Sequence, residues 1–400
     1  MRNYFRIPRW QLSPFDLMVY VLWGVALLGY WRGINNKIPF FKNYTDELEI
    51  AIVVVPIVLA LPHIIKRIKP IDLIFCIGFA LLYLLNYVFY PANHIALDDR
   101  LFRCLFTAVP FFIYGRMLDI EKYYKGFYRI SAFTILLMVF YYFIYAQNAD
   151  VEVETEKYNM AAAYKILPHV LLMIWATFKK RTVINIGITI LGIFQIMAFG
   201  TRGPLVCAIV FFAFYALFFS DMKYAKLIKG AIVTAGVAIS IYFYEIALFL
   251  QLQLTYFGMS TRIFDKILED EITDGSGREW IAETLYDVLS NSHNFFGYGL
   301  LGAERYVGTY PHKIYLEFMF SFGYVLGITL LLLILALIYK AFRRANNMGK
   351  EFVLLLFCGS IVKLFMSGTF LDDALFFMLL GYCTQMLLTK KSVLNNWKRS

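Results

Sequence analysis

Arg202 stands in a short turn, FGTRGP at 199–204, between two apolar stretches. Gly200 and Gly203 let the backbone approach a ligand closely, and Pro204 suits the first turn of a helix. The free N–H groups at the start of that helix, beside a guanidinium, form a site suited to a phosphate. The alternative is an arginine that extends its charged end to the lipid headgroups.

A second arginine, Arg278, opens another predicted helix directly after the sequence DGSG. The positive end of a helix dipole disfavours a cation, so an arginine at this position indicates an anionic ligand or a specific acidic partner. The alternative is an exposed arginine paired with Asp274, Glu279 or Glu283. Arg262, near the start of the same loop, is a further candidate for binding an anion.

His312, in the sequence YPHK, lies where this loop meets the next apolar stretch. A neutral imidazole with a pKa of ~6.5 can take a proton from a hydroxyl group, although packing in the interface is the alternative. Asp372 and Asp373, in the last outer turn, could coordinate a cation or could only mark the turn. No His, Cys or Asp spacing repeats on one helix face, so no metal site is predicted.

The composition restricts the kind of protein that can position these residues. Of the 400 residues, 60% are apolar and 16% are charged, and the mean hydropathy is +0.63. Soluble proteins have about a quarter of their residues charged, so a set of soluble domains is excluded. The sequence predicts an all-α polytopic membrane protein. In such a chain the net charge of +10 sets the topology and does not indicate nucleic-acid binding. The five cysteines lie in apolar runs and are predicted to be unpaired.

A single transmembrane domain covering 1–400 is predicted, because a bilayer is crossed by about 20 mostly apolar residues and twelve such stretches occur. They lie at 15–32, 47–65, 71–90, 101–118, 128–146, 160–178, 182–199, 203–220, 228–250, 313–339, 352–369 and 373–389.

Most of the 38 basic residues fall on one alternating set of connections, which places both termini in the cytoplasm. The opposite, extracytoplasmic face has one long loop, 251–311. Apolar residues recur at helical spacing in 262–272 and in 278–290, and these segments are predicted to be amphipathic helices. In the second of them the apolar residues are Trp280, Ile281, Leu285, Val288 and Leu289.

Three motifs follow one another in the chain: GREW at 277–280, NFFGYG at 294–299, and His312-x-x-x-Leu316-Glu317 followed by Gly323 and Gly327. With the turn at 199–204, this order resembles the O-antigen polymerase and O-antigen ligase superfamily of membrane glycosyltransferases. The resemblance covers nearly the whole chain in architecture, but in motifs only 199–204 and 277–327. It implies a GT-C-like bundle of about twelve transmembrane helices in the bacterial cytoplasmic membrane. It also implies a metal-independent, inverting transfer that needs no cofactor.

The resemblance also assigns roles. Arg202 and Arg278 match the diphosphate-binding arginines of the family, and His312 matches a catalytic or acceptor-orienting histidine. Asp372 or Asp373 corresponds loosely to an acidic residue of the last outer turn. Lys313 stands where the family often has Asn, which leaves the local hydrogen bonding open. The implied partners are an undecaprenyl-diphosphate-linked oligosaccharide as donor and acceptor, membrane lipids, a chain-length regulator and a flippase.

Three functions remain in competition. The short segment 297–312 favours a repeat-unit polymerase over a ligase, while O-antigen and capsule are not distinguished. A flippase for the same lipid-linked oligosaccharide would show repeated halves and charges near the membrane midplane. No internal repeat is visible, and only Lys165, Glu245 and Lys363 lie within predicted spans. The candidate residues instead collect on one face, which favours an enzyme over a transporter or a scaffold.

Overall fold

A computed structural model describes residues 13–24, 45–146, 160–199, 201–219, 248–249, 251–253, 255, 278–291 and 295–389. All regular structure in these ranges is helical, which confirms the predicted all-α class for them. The first eight α-helices are α1 (Pro14–Trp23), α2 (Thr45–Ile65), α3 (Pro70–Phe89), α4 (His94–Met117), α5 (Ile120–Ala146), α6 (Met160–Lys179), α7 (Val183–Ala198) and α8 (Arg202–Phe218).

Seven more α-helices lie in the described residues of the second half of the chain. They are α9 (Arg278–Asn291), α10 (Glu304–Val307), α11 (Ile314–Phe322), α12 (Tyr324–Arg344), α13 (Asn347–Phe357), α14 (Lys363–Met366) and α15 (Ala374–Leu388). A π-helical turn, Cys358–Val362, joins α13 to α14. Short 3₁₀ turns at Pro91–Asn93 and Phe370–Asp372 precede α4 and α15.

Among the described helices, α3, α6 and α12 are long and apolar enough to cross a membrane. α1, α7, α8 and α15 are apolar but shorter, as is the part of α2 from Val54 to Ile65. Described helices lie over eleven of the twelve predicted spans, and the remaining stretch, 228–250, falls almost wholly outside the described residues. The count of twelve transmembrane helices and the GT-C-like arrangement therefore stay predictions.

The core lies around α6, which is buried on nearly all sides. Ala163, Leu167, Leu171 and Trp175 have no exposed surface, and α5, α7, α8 and α13 pack around them. By contrast, most residues in the apolar stretches of α3 and α12 are not buried by the rest of the protein, as is typical of helices that face lipid. The bundle therefore has one central helix and a peripheral set.

Small residues let α4 and α15 pack closely along their length. A methyl group on Gly115 of α4 would collide with the backbone of Met378, and one on Gly381 of α15 would collide with the backbone of Phe112. Close approach through small residues is a common way for helices to associate in a membrane. This packing holds α15, which follows the 366–373 connection, against α4.

The predicted span 313–339 is wrong as a continuous helix, because the chain breaks at Gly323. Gly323 has φ +81°, and its neighbours Phe320 and Ser321 accept hydrogen bonds at 2.8 and 3.1 Å from the amides of Tyr298 and Gly299. The 295–299 loop thus satisfies carbonyl groups that a continuing helix would have used. The result is a short α11 that is separate from the span-length α12.

The amphipathic helix predicted over 278–290 is confirmed as α9. Ile281, Leu285 and Leu289 are buried against α11, whereas Trp280, which was predicted to share their face, is 57% exposed. Successive helical residues differ by 100°, so Trp280 points away from the row that Ile281 begins. The other predicted amphipathic helix, 262–272, lies outside the described residues. All five cysteines are free thiols, as predicted.

Candidate functional site

Residues 366–373, between α14 and α15, form the connection around which the candidate site is built. The sequence MSGTFLDD is polar where the predicted span 352–369 would have stayed apolar. Gly368 adopts φ +107°, a conformation that favours glycine and turns the chain sharply. The turn presents the Met366 carbonyl and the Ser367 hydroxyl to the rest of the molecule.

Arg278, the first residue of α9, is fixed to this turn. Its Nη1 donates to the Met366 carbonyl at 2.9 Å, and its Nη2 lies 3.7 Å from the thioether sulfur of Met160. Neither Glu279 nor Glu283 pairs with the guanidinium, and no other carboxylate of the described ranges lies within 4.0 Å of it. Arg278 is half-buried, so its charge is partly removed from water, and no described carboxylate compensates it. Asp274, the third acidic residue considered as a partner, lies outside the described residues.

His312 lies beside Arg278. Its Nδ1 is 3.3 Å from the Ser367 hydroxyl, and it holds φ +60°, which is unusual for a residue with a side chain. Burial, and secondarily the Arg278 charge, lower the pKa of His312 to about 4. The expectation of an imidazole with an unperturbed pKa is therefore wrong: His312 is neutral at neutral pH and is a weaker base.

The start of α8 borders the same turn. A methyl group on Gly203 would lie 3.3 Å from Met366 Cβ and would collide with the Tyr164 hydroxyl. Thr201, at the N-cap, is 4% exposed, and its hydroxyl has no hydrogen-bond partner in the described part of the chain. Arg202 follows as the first residue of the helix and is half-buried. The start of α8 and the guanidinium of Arg278 thus both lie against Met366.

Asp372 and Asp373 belong to the same turn but face other cations. Asp372 Oδ2 lies 3.2 Å from Arg100 Nη1 and 3.5 Å from Arg103 Nε, and Arg100 also pairs with Glu304 at 2.7 Å. Asp373 accepts from the first turn of α15 and from Lys363, at 2.8 and 2.6 Å. Both carboxylates are therefore neutralised by basic side chains. Among the described residues, no group of three His, Cys, Asp or Glu could hold a metal ion.

Of the two remaining predicted residues only Lys313 is described, and no described contact links its side chain to Met366. Lys313 forms the N-cap position of α11 with extended backbone, φ −133°, and its side chain makes no cap hydrogen bond. Arg262 lies outside the described residues. The structure thus brings together Arg278, His312 and the helix start that contains Arg202.

Three contributing residues were not recognised as site residues from the sequence. Glu317, 5% exposed, accepts from the Thr369 hydroxyl and, at 3.2 Å, from the Phe370 amide, and so ties α11 to the turn. Its place in the motif with His312 was a usable signal. Ser367 was hidden within a predicted span, and Met160 carried no signal because a methionine at a helix start is ordinary.

This arrangement can bind an anion and accept a proton. Arg278 supplies a cation, the start of α8 supplies the positive end of a helix dipole, and His312 supplies a neutral ring nitrogen. No protein-family model matches the chain, and no curated protein matches it.

Proposed function

We propose that this protein is a polysaccharide repeat-unit polymerase. It would transfer a glycan from undecaprenyl diphosphate to a sugar hydroxyl on the outer face of the bacterial cytoplasmic membrane. The observation that carries the proposal is the half-buried Arg278, which has no carboxylate partner in the described ranges and lies beside the neutral His312. Burying such a cation costs free energy, and an anionic ligand that pairs with it offsets this cost.

The diphosphate of the donor is the anion that fits. The start of α8 and the guanidinium of Arg278 both lie against Met366, and a helix start beside a cation favours a phosphate group through its N–H groups and dipole. The buried Thr201 hydroxyl offers one further hydrogen bond. As the sugar leaves, negative charge grows on the phosphate oxygens, and a guanidinium in a partly dehydrated site stabilises that charge by about 3–4 kcal/mol.

His312 is the proposed base. The acceptor oxygen forms a bond to the anomeric carbon while the bond from that carbon to the diphosphate oxygen breaks, which inverts the configuration. The hydroxyl proton passes to Nε2 of His312, because Nδ1 faces Ser367. The charge of Arg278 helps to depress the pKa of His312, so a bound diphosphate, which offsets that charge, raises the basicity of the ring. The base is then strongest when the donor is present.

A membrane location is supported by the three helices of span length and by the exposed apolar surfaces of α3 and α12. The proposed orientation has both termini in the cytoplasm and the 366–373 turn outside. Arg116 and Arg344 lie at the far ends of α4 and α12, where the positive-inside rule predicts basic residues.

The test is deletion of the gene followed by electrophoresis of the surface glycan, with complementation by variants. Glycan carrying a single repeat unit supports the polymerase. Long polymer that is not attached to lipid A core would indicate a ligase instead, and loss of all surface glycan would indicate a flippase. Complementation by Arg278→Gln should leave the single-repeat pattern, whereas Arg103→Gln, which alters an exposed arginine near the same turn, should restore long chains.

A further inference from the structure

A cleft of about 550 Å³ lies between the end of α8, the second half of α12 and the start of α13. Its walls are aromatic and aliphatic side chains, among them Phe214, Phe218, Leu335, Phe342 and Leu354. Its polar lining side chains are those of Asn347 and Lys350 and the Tyr339 hydroxyl. An apolar cleft of this size offers water few hydrogen-bond partners, whereas a hydrocarbon chain can fill it without leaving any polar group unpaired.

We propose that this cleft binds an acyl chain of an anionic glycerophospholipid, with the lipid headgroup beside Lys350. The inference depends on the membrane location of the chain and is independent of the proposed glycan transfer.

The charge of Lys350 supports an anionic headgroup. Lys350 is half-buried at the edge of the cleft, and no described carboxylate pairs with it. The adjacent acid, Glu351, is engaged elsewhere, by Lys179 at 2.9 Å and by the Tyr215 hydroxyl at 2.5 Å. A headgroup phosphate at this position would therefore meet a cation that no described carboxylate compensates.

The position of the cleft distinguishes a phospholipid from the polyprenyl donor. α8 begins at Arg202 beside the candidate site and ends at Phe218 in the wall of the cleft. These residues are 16 positions apart, which corresponds to about 24 Å along a helix. The cleft thus lies at the other membrane face, which is predicted to be cytoplasmic, and anionic lipids are concentrated in cytoplasmic leaflets.

The test is native mass spectrometry of the full-length protein in detergent, titrated with phosphatidylglycerol and, separately, with phosphatidylcholine of the same acyl chains. We expect preferential binding of phosphatidylglycerol. One lysine near a headgroup contributes about 1 kcal/mol, so Lys350→Gln should weaken that binding about fivefold. Lys340→Gln, which changes an exposed lysine on α12 outside the cleft, is the matched control and should bind normally.

A second variant tests the cleft itself. Leu335→Trp places a larger side chain in the cleft and should reduce binding of both lipids, while gel filtration verifies that the protein stays folded. Equal binding of the two lipids, or unchanged binding by Lys350→Gln, would overturn the proposal. Displacement of the phospholipid by undecaprenyl phosphate would assign the cleft to the carrier tail instead. Absence of any bound lipid would mean that the cleft is closed by another part of the chain.

Discussion

Two arginines, Arg116 and Arg278, differ in the groups that surround their guanidinium charges. Arg116, near the end of α4, is 5% exposed, pairs with Asp72 and donates to the Arg67 carbonyl at 2.8 Å. Arg278, at the start of α9, meets only a carbonyl oxygen and a thioether sulfur among its described neighbours. The helix dipole favours a cation at the end of a helix and disfavours one at the start. Arg116 therefore has a structural role, whereas no described carboxylate compensates Arg278, which we propose binds the diphosphate.

The largest effect should come from breaking the compensated pair. Asp72→Asn keeps the size of the side chain but leaves Arg116 buried without its counter-charge, which costs about 3–5 kcal/mol. Thermal unfolding of the purified protein in detergent should show a much lower midpoint. The double variant Asp72→Leu with Arg116→Met removes both charges and should recover most of the loss. An unchanged midpoint for Asp72→Asn would show that the pair does not hold α3 to α4.

Replacing Arg278, which no described carboxylate compensates, should affect activity much more than stability. Under the proposed function, Arg278→Gln should lower the transfer rate by about 10²–10³-fold, because charge on the leaving phosphate would lose its stabilising cation. The unfolding midpoint should change little, since no described ion pair is lost. Arg278→Lys keeps the charge but loses the bidentate geometry of the guanidinium. Its transfer rate should therefore lie between that of the unchanged protein and that of Arg278→Gln. A large fall in midpoint with normal activity would make Arg278 structural and would remove the contrast with Arg116.

Much of the architecture was accessible from the sequence because hydropathy and helical spacing respond to the local environment. The stretches that became α3, α6 and α8, and the amphipathic α9, appear at the predicted positions. The placement of Arg278 and of Arg202 at helix starts followed from the glycines and Pro204 around them. These features depend on residues a few positions apart.

Features that depend on distant residues were not predictable. Asp72 and Arg116 are 44 positions apart, and only the packing of α3 on α4 makes them a pair. The break at Gly323 arises because the 295–299 loop supplies hydrogen bonds to α11. The turn at Met366 lies inside an apolar stretch that predicts a longer helix. The contacts of Met366 with Arg278 and with the start of α8 could therefore not be predicted.

Glu317 provides a smaller perturbation from outside the reacting groups. Glu317→Ala removes both hydrogen bonds to Thr369 and Phe370, and losing such bonds costs about 1–3 kcal/mol. Because this turn also carries the Ser367 partner of His312, the transfer rate should fall as well. Glu317→Gln keeps one acceptor and should lose less of both. If the alanine variant lost stability but kept full activity in its folded fraction, the turn would not position His312.

The pH profile links His312 to Arg278. The folded pKa of His312, about 4, lies below the ordinary value of ~6.5, so between these values the unfolded chain binds more protons. Stability should therefore fall as the pH drops through this window and be independent of His312 above it. kcat/KM should stay flat near neutral pH and decline only in acid. In Arg278→Gln the acid limb should move to higher pH, and an unmoved limb would mean that the two groups do not interact.

The smallest effect should come from Arg103, which has a carboxylate nearby but is 70% exposed. Exposed ion pairs contribute little, so Arg103→Gln should change the unfolding free energy by less than about 0.5 kcal/mol, measured by denaturant titration. Arg100 remains to neutralise Asp372, so the turn should keep its shape and transfer should be normal. A loss of activity as large as that of Arg278→Gln would place this side of the turn within the substrate site. The presence of a carboxylate partner, as at Arg103, would then no longer distinguish a structural arginine from one that binds substrate.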